Sequence, residues 1–459
     1  MNDLSFYLSS IIFLLSILQI ESNEYNKAIE IVAQFNIIKF RKSPTEIEEC
    51  KYCMPAGIKL SKNGTIFCSF PRWFDNVTAT FAKYNKDENI FEPWPSFEIN
   101  QKYSNNDSSG LNSILGFEID EYDNLYILDQ GRIKKNPAMK DSMKLLNYSL
   151  NDGQLKRTYT FKSDIVDPSN SFLNDVVIDV KNKIAYITDS GNSLSGKLSD
   201  YNSGIIVLKL EEDKQYKILS NHYSVLPDQS FFLHIEKEPV NNSTSPMMTG
   251  ADGIALSCDG EALYYCPLSG RMIYSILTKD ILKAIEKNEL NNITVYEGFK
   301  KEASDGLLAS NKGKLYMTGI ETGSIYISNT TEPDLLRFDY KDFDSFQGNI
   351  TTMWPDTMAL HDRFLYFVSN QLNNFPKKIN YTNPKNGKYN FAILKFYVGD
   401  DGSYIGGCKD SRNGLGIGSI IIWIFFAIII LIVLSFVLMG SNNQEEVIDK
   451  HMNLGIKED

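Results

Sequence analysis

The chain has 459 residues, of which 43% are hydrophobic and 22% charged, a balance with ample apolar material for a globular core. Its formal net charge of −11 argues against nucleic acid as a partner, because phosphate binding needs a basic face. The same acidity is compatible with a cationic ligand or a divalent ion, and it also simply keeps a surface soluble.

The first 22 residues read as a secretory signal peptide, with the apolar run Leu4–Ile20 followed by polar ESNEYN. Cysteines follow at Cys50, Cys53, Cys68, Cys258, Cys266 and Cys408, an even count that suggests disulfides of undetermined pairing in an exported chain. The pair Cys50–Cys53 forms a C-x-x-C with no second pair to complete a zinc site. Sequons for N-glycosylation stand at Asn63, Asn76, Asn106, Asn147, Asn241, Asn242, Asn292, Asn329, Asn349 and Asn380.

From Met54 onward one pattern recurs six times: a small or acidic residue, a short residue, an alternating apolar strand, a polar turn, and a second strand built on an aromatic. The six copies start at Met54, Ile114, Leu173, Gly250, Ala303 and Trp354. Their aromatics are Phe67, Tyr126, Tyr186, Tyr264, Tyr316 and Tyr366, separated by 59, 60, 78, 52 and 50 residues. Turns such as Lys62-Asn63-Gly64, Asp123-Asn124, Asp259-Gly260 and Lys312-Gly313 supply residues that tolerate positive φ in tight hairpins. Further strands are expected at 204–210, 271–277 and 323–328, so each unit holds two hairpins, or four strands. Six such units close a ring without long exposed edges, which predicts an all-β, six-bladed propeller over residues 23–406. The long third interval reads as an insertion carrying His222, Pro227 and the polar stretch 241–246, and residues 279–290 read as an amphipathic surface helix.

After a linker at 407–414, the uncharged run from Leu415 to Met439 is long enough to cross a hydrocarbon core of about 30 Å. The sequence therefore predicts one C-terminal transmembrane helix, a cytoplasmic tail at 440–459, and a single-pass protein of the cell surface or secretory pathway with its propeller outside.

These repeats resemble the major royal jelly protein/Yellow family from about Ile31 to about Phe396. The segments PAGI at 55–58, IFCSFPRW at 66–73 and VTAT at 77–80 are similar to that family's Pro-x-Gly-Ile, Phe-x-x-x-Pro-Arg-Trp and Pro-Ala-Thr-Leu motifs. DEYDNLYILDQG at 120–131, LNDVVID at 173–179, GIALS at 253–257 and WPDT at 354–357 follow in family order. The resemblance implies a six-bladed, mostly secreted protein. It also implies roles such as pigmentation, nutritive secretion, binding of small biogenic amines, or dopachrome conversion. Here the last motif departs, since Val77-Thr-Ala-Thr-Phe carries a sequon at Asn76.

In a propeller the residues before each innermost strand converge on the channel. Here they are Pro55, Gly116, Asn174, Asp175, Asp252, Asp305 and Asp356. Carboxylates pointing into one small volume repel unless a cation or ammonium ligand lies between them, although each Asp could equally cap its own turn. Arg72 and Trp73 could clamp an aromatic ligand or pack between blades. The expectation is a membrane-tethered binder of a small cationic or aromatic ligand with no cofactor, its protein partners undetermined. One alternative is a calcium-dependent lactonase or phosphotriesterase-like hydrolase, with calcium on Asn174, Asp252, Asp305 and Asp356. It draws on a likeness of the repeat to gluconolactonase-type propellers, but it wants a first-blade Glu that Pro55-Ala56-Gly57 lacks. The other is a structural or adhesion protein. The four histidines, His222, His234, His361 and His451, show no metal spacing.

Overall fold

The structure is a computed structural model. It describes residues 29–408, except 106, 135, 192–196, 236–237, 243–244, 301, 329–342, 347–352, 376–377, 383, 385–388 and 403–407. Chain contacts divide the molecule at Cys408, and every described residue belongs to the first unit.

Six sheets form the blades, in chain order around a ring. The innermost strands are Ile58–Leu60, Ile114–Ile119, Leu173–Asp179, Ala251–Leu256, Leu307–Ala309 and Trp354–His361. In each blade the chain then steps outward through antiparallel neighbours, as alternating patterns bounded by tight turns require. The turn glycines Gly64, Gly260 and Gly313 do adopt positive φ, at 82°, 76° and 78°. The first sheet is widened to six strands by Ile38–Ser43 and Glu46–Cys50. The sixth is completed by the N-terminal strand Glu30–Phe35, which pairs with Phe391–Tyr397 from the other end of the chain and so locks the ring.

The core is divided among the blade contacts. One cluster joins the first and second blades through Phe67, Phe81, Phe117 and Ile127. Another joins the third and fourth through Tyr186, Val207, Ile254 and Tyr265. Each remaining contact has its own cluster, and the sixth-to-first seam is filled by Phe35, Phe40, Phe70, Phe91 and Phe391. Burial of these side chains, each about 1.5–3 kcal/mol, holds neighbouring sheets face to face. The repeat aromatics are part of this packing, and Tyr186 and Tyr316 are fully buried. The insertion forms two short hairpins, and Phe231, Leu233 and Ile235 from it pack on Trp354. The expected helix spans Thr278–Lys287 and ends on Asn288 at φ 56°.

Two expectations are corrected. Among the described residues no helix is long and apolar enough to cross a membrane. The single-pass architecture, the membrane partner and the tethered localisation thus find no helix among the described residues to carry them. The stretches read as signal peptide (1–22), membrane span (415–439) and tail (440–459) lie outside the described residues, as does the 407–414 linker apart from Cys408. The six cysteines do not all pair: Cys50 bonds Cys53 and Cys258 bonds Cys408, while Cys68 and Cys266 are buried thiols. Burial raises the pKa of both thiols, so they pack as small apolar groups.

Candidate functional site

The channel has two levels, set by the register of the innermost strands. At the first level each repeat aromatic lies opposite one innermost residue. The six partners are Lys59, Glu118, Val177, Ala255, Leu308 and Ala359. All six line a cavity of about 660 Å³, a size typical of small-molecule sites. Its wall is apolar on four blades and charged on two. Lys59 Nζ donates to Glu118 Oε2 at 2.9 Å, with side chains only 11% and 5% exposed. The other Glu118 oxygen accepts the Ile119 N–H at 2.9 Å. Burial works against the Lys59 charge, but Glu118 and Asp175 outweigh it and hold its pKa above the ordinary value. The cavity mouth is polar, with Lys62, Asp120, Glu121, His361 and Asp401 around it.

The second level is where the blades come closest. A Cβ on Gly57, Gly116, Gly253 or Gly306 would meet a carbonyl of the next blade at 2.7, 2.4, 2.6 or 2.5 Å. These glycines let successive inner strands touch. The sixth blade instead has Thr357, whose hydroxyl donates to Ala56 O at 2.8 Å and accepts the Ile58 N–H at 2.9 Å. The third blade has Asp175. The residues just before this level are Ala56, Leu115, Asn174, Asp252, Asp305 and Asp356, so the expected first- and second-blade positions, Pro55 and Gly116, are each one residue off.

Asp175, Asp252, Asp305 and Asp356 do come together and are buried. Burial raises the pKa of Asp175 to about 7, against the opposing pull of Lys59. Burial also raises Asp305 to about 6, while hydrogen bonds from Trp354 and Asp252 hold it lower than burial alone would. Asp252 and Asp356 are pushed up first by burial and then by the charge of Asp305. The indole N–H of Trp354 donates to Asp305, and Asn370 donates to Asp356 at 2.7 Å. Asn174 turns to Ser190 Oγ at 3.0 Å.

The residues do not fit a calcium ion. Among the described residues no three acidic, histidine or cysteine side chains are arranged as a metal cage. Asp305 and Asp356 each spend an oxygen on Trp354 and Asn370.

Arg72 and Trp73 serve the blades. Arg72 donates to Leu111 O, Asn112 O and Asn100 O and stacks 3.8 Å from the Tyr103 ring centre. Burial lowers its pKa to about 10. Trp73 packs on Phe172 at 6.4 Å. Among the sequons, Asn63, Asn76, Asn292 and Asn380 are exposed and Asn147 is half-buried in a strand. At Asn106, Asn241, Asn242, Asn329 and Asn349 the side chains lie outside the described residues. Lys59 and Glu118 were not singled out from the sequence. The available signal was a single charge in each of IKL and GFEI, opposite a repeat aromatic.

The chain matches the family model described as Major royal jelly protein over residues 112–402. It is 25% identical over 269 residues to major royal jelly protein 3 of Apis mellifera, covering 54% of this chain and 45% of that protein. It is 20% identical over 365 residues to dopaminechrome tautomerase of Drosophila melanogaster, covering 75% of this chain and 74% of that protein. The chain thus spans less than half the length of the first royal jelly proteins it matches. Among solved structures, the calcium-binding protein regucalcin from Agrobacterium tumefaciens aligns over 81% of this chain and 95% of its own. Its TM-score is 0.45 at 11% identity, and that likeness carries no argument about chemistry. With over half of its length matched by the family model, this chain belongs to the major royal jelly protein family.

Proposed function

We propose that the chain catalyses proton transfer within a small organic molecule held in the channel cavity, a tautomerase-type reaction that needs no metal. The observation that carries this reading is the Lys59–Glu118 pair. Two opposite charges are buried in the wall of a cavity that is otherwise apolar at that level. Burying charges costs several kcal/mol per ion before pairing offsets it, and such pairs concentrate where chemistry needs them. The relation to dopaminechrome tautomerase, over three-quarters of this chain, supports the same reaction class.

A tautomerisation moves one proton from a carbon to another atom of the same molecule and consumes nothing. The Glu118 carboxylate accepts the proton and returns it. The Lys59 ammonium faces the oxygen on which negative charge grows, in a wall that keeps water scarce. The charge of Asp175 also helps keep Lys59 protonated. The apolar residues on the other four blades hold the body of the substrate.

The test is loss of dopaminechrome colour with the purified full chain, in EDTA and then with added calcium, beside a panel of lactones. EDTA-insensitive conversion is expected. It should fall about 100-fold or more in Glu118→Gln, as the loss of a general base does. Lactone hydrolysis that requires calcium, without dopaminechrome conversion, would replace this reading by the metal-dependent hydrolase.

A further inference from the structure

We propose that Asn63 carries an N-linked glycan that stands at the rim of the channel cavity and screens its entrance by size. Asn63 sits in the turn between the two inner strands of the first blade, in the sequence Asn63-Gly64-Thr65. The residues before it, Ser61 and Lys62, line the cavity, and so does His361 of the adjoining sixth blade. Gly64 is packed against that histidine, since a Cβ there would lie 3.3 Å from His361 Nε2. Lys62 N donates to Asp123 Oδ1 at 2.8 Å, which fixes the turn against the second blade. A group attached at this turn therefore has a set position at the mouth.

The folded turn accommodates the modification. Asn63 is exposed, and its Oδ1 accepts the Thr65 hydroxyl at 2.8 Å and the Thr65 N–H at 3.1 Å. Those bonds use the oxygen, and among the described residues the amide nitrogen, where a glycan attaches, makes no hydrogen bond. The two disulfides indicate folding in an oxidising compartment, the setting in which oligosaccharides are transferred to sequons. In that transfer a polyprenyl-diphosphate oligosaccharide is the donor. The sugar C1–oxygen bond breaks, a bond from C1 to Asn63 Nδ2 forms, the lipid diphosphate leaves, and the nitrogen gives up one proton. Asn76, Asn292 and Asn380 are also exposed, but none of them follows cavity-lining residues as Asn63 follows Ser61 and Lys62.

The experiment expresses the full chain in a glycosylating eukaryotic host and maps glycopeptides by mass spectrometry. Acylation of Lys62 is then timed with a small acetylating ester and with a bulky polyethylene-glycol ester. Both are applied to the glycosylated protein, to enzymatically deglycosylated protein, and to Asn63→Gln and Thr65→Val. Thr65→Val removes the sequon and keeps Asn63 in its turn, so a folding defect in Asn63→Gln leaves the test intact. Occupancy at Asn63 is expected, with the bulky ester slowed at least fivefold by the glycan and the small ester unchanged. An unoccupied Asn63, or equal rates for the bulky ester with and without the glycan, overturns the proposal. Neither readout needs turnover, so the reaction proposed above can fail without affecting them.

Discussion

Breaking the Lys59–Glu118 pair from one side should cost far more than removing it altogether. Both side chains are nearly enclosed, at 11% and 5% exposure, so solvent screens them little. Leaving one buried charge without its partner costs about 3–5 kcal/mol, whereas replacing both members is close to neutral. At roughly 2.1 cal/mol/K per residue, the 29–408 ring has an unfolding entropy of about 0.8 kcal/mol/K. Lys59→Met or Glu118→Gln alone should therefore lower Tm by roughly 4–6 °C. The double variant should return to within about 2 °C of the parent, because the amide oxygen of the introduced glutamine would still accept the Ile119 N–H that Glu118 accepts now. Differential scanning calorimetry on the four proteins reads this directly. Neutral single variants, or a double variant as unstable as the sum of the singles, would refute a buried, mutually dependent pair. Because the double variant stays folded, its catalytic loss separates function from stability.

Three further outcomes follow from the same geometry. Asp175 and Asp305 keep protons up to about pH 7 and 6 in the folded chain, and Asp252 and Asp356 are raised in the same direction. The unfolded chain releases these protons near pH 4, so stability should fall as pH rises from about 4 through about 7. Tm should be higher at pH 5 than at pH 8 and the difference smaller in Asp305→Asn, and a Tm that climbs over this range would contradict it. Opening the Cys258–Cys408 bond, whose partners are 150 residues apart, should remove about 5 kcal/mol by loop entropy; opening Cys50–Cys53 should remove less than half of that, as urea denaturation of the serine variants would show. Gly253→Ala places a methyl 2.6 Å from Asp305 O and 2.8 Å from Leu307 N, so it should destabilise by about 1–3 kcal/mol from the clash, whereas Gly270→Ala, whose nearest neighbour is Asp228 Cβ at 3.6 Å, should meet no clash, as urea denaturation of both would show.

Much of the ring was legible because its signals are local. Gly64, Gly260 and Gly313 mark hairpins wherever they occur, and the aromatics from Phe67 to Tyr366 repeat at the spacing of one blade. The convergence of Asp252, Asp305 and Asp356 followed from the repeat alone. What stayed hidden depends on tertiary geometry. That Ala56 and Leu115, in place of Pro55 and Gly116, stand at the aspartate level follows from the strand pairing in which Lys59 and Glu118 face the repeat aromatics. Lys59 and Glu118 look like charges on a solvated strand face until the ring closes around them. Cys258 meets Cys408 only because the chain returns past its last blade, and the same count of six gave no hint that Cys68 and Cys266 stay reduced. The sequence reads Arg72 as free for a ligand because it cannot show that Leu111, Asn112 and Asn100 offer it carbonyls.

The most direct test of proton transfer in the cavity is a kinetic isotope effect. Dopaminechrome deuterated at the saturated ring carbons that give up hydrogen would be converted by the full chain beside the unlabelled compound, and the rates of colour loss compared. Conversion that is slower for the labelled compound with the parent protein, and is lost in Glu118→Gln and in the stable double variant, is the predicted result. Conversion at the parent rate in those variants, or none with the parent protein, would contradict the assignment of the reaction to Lys59 and Glu118.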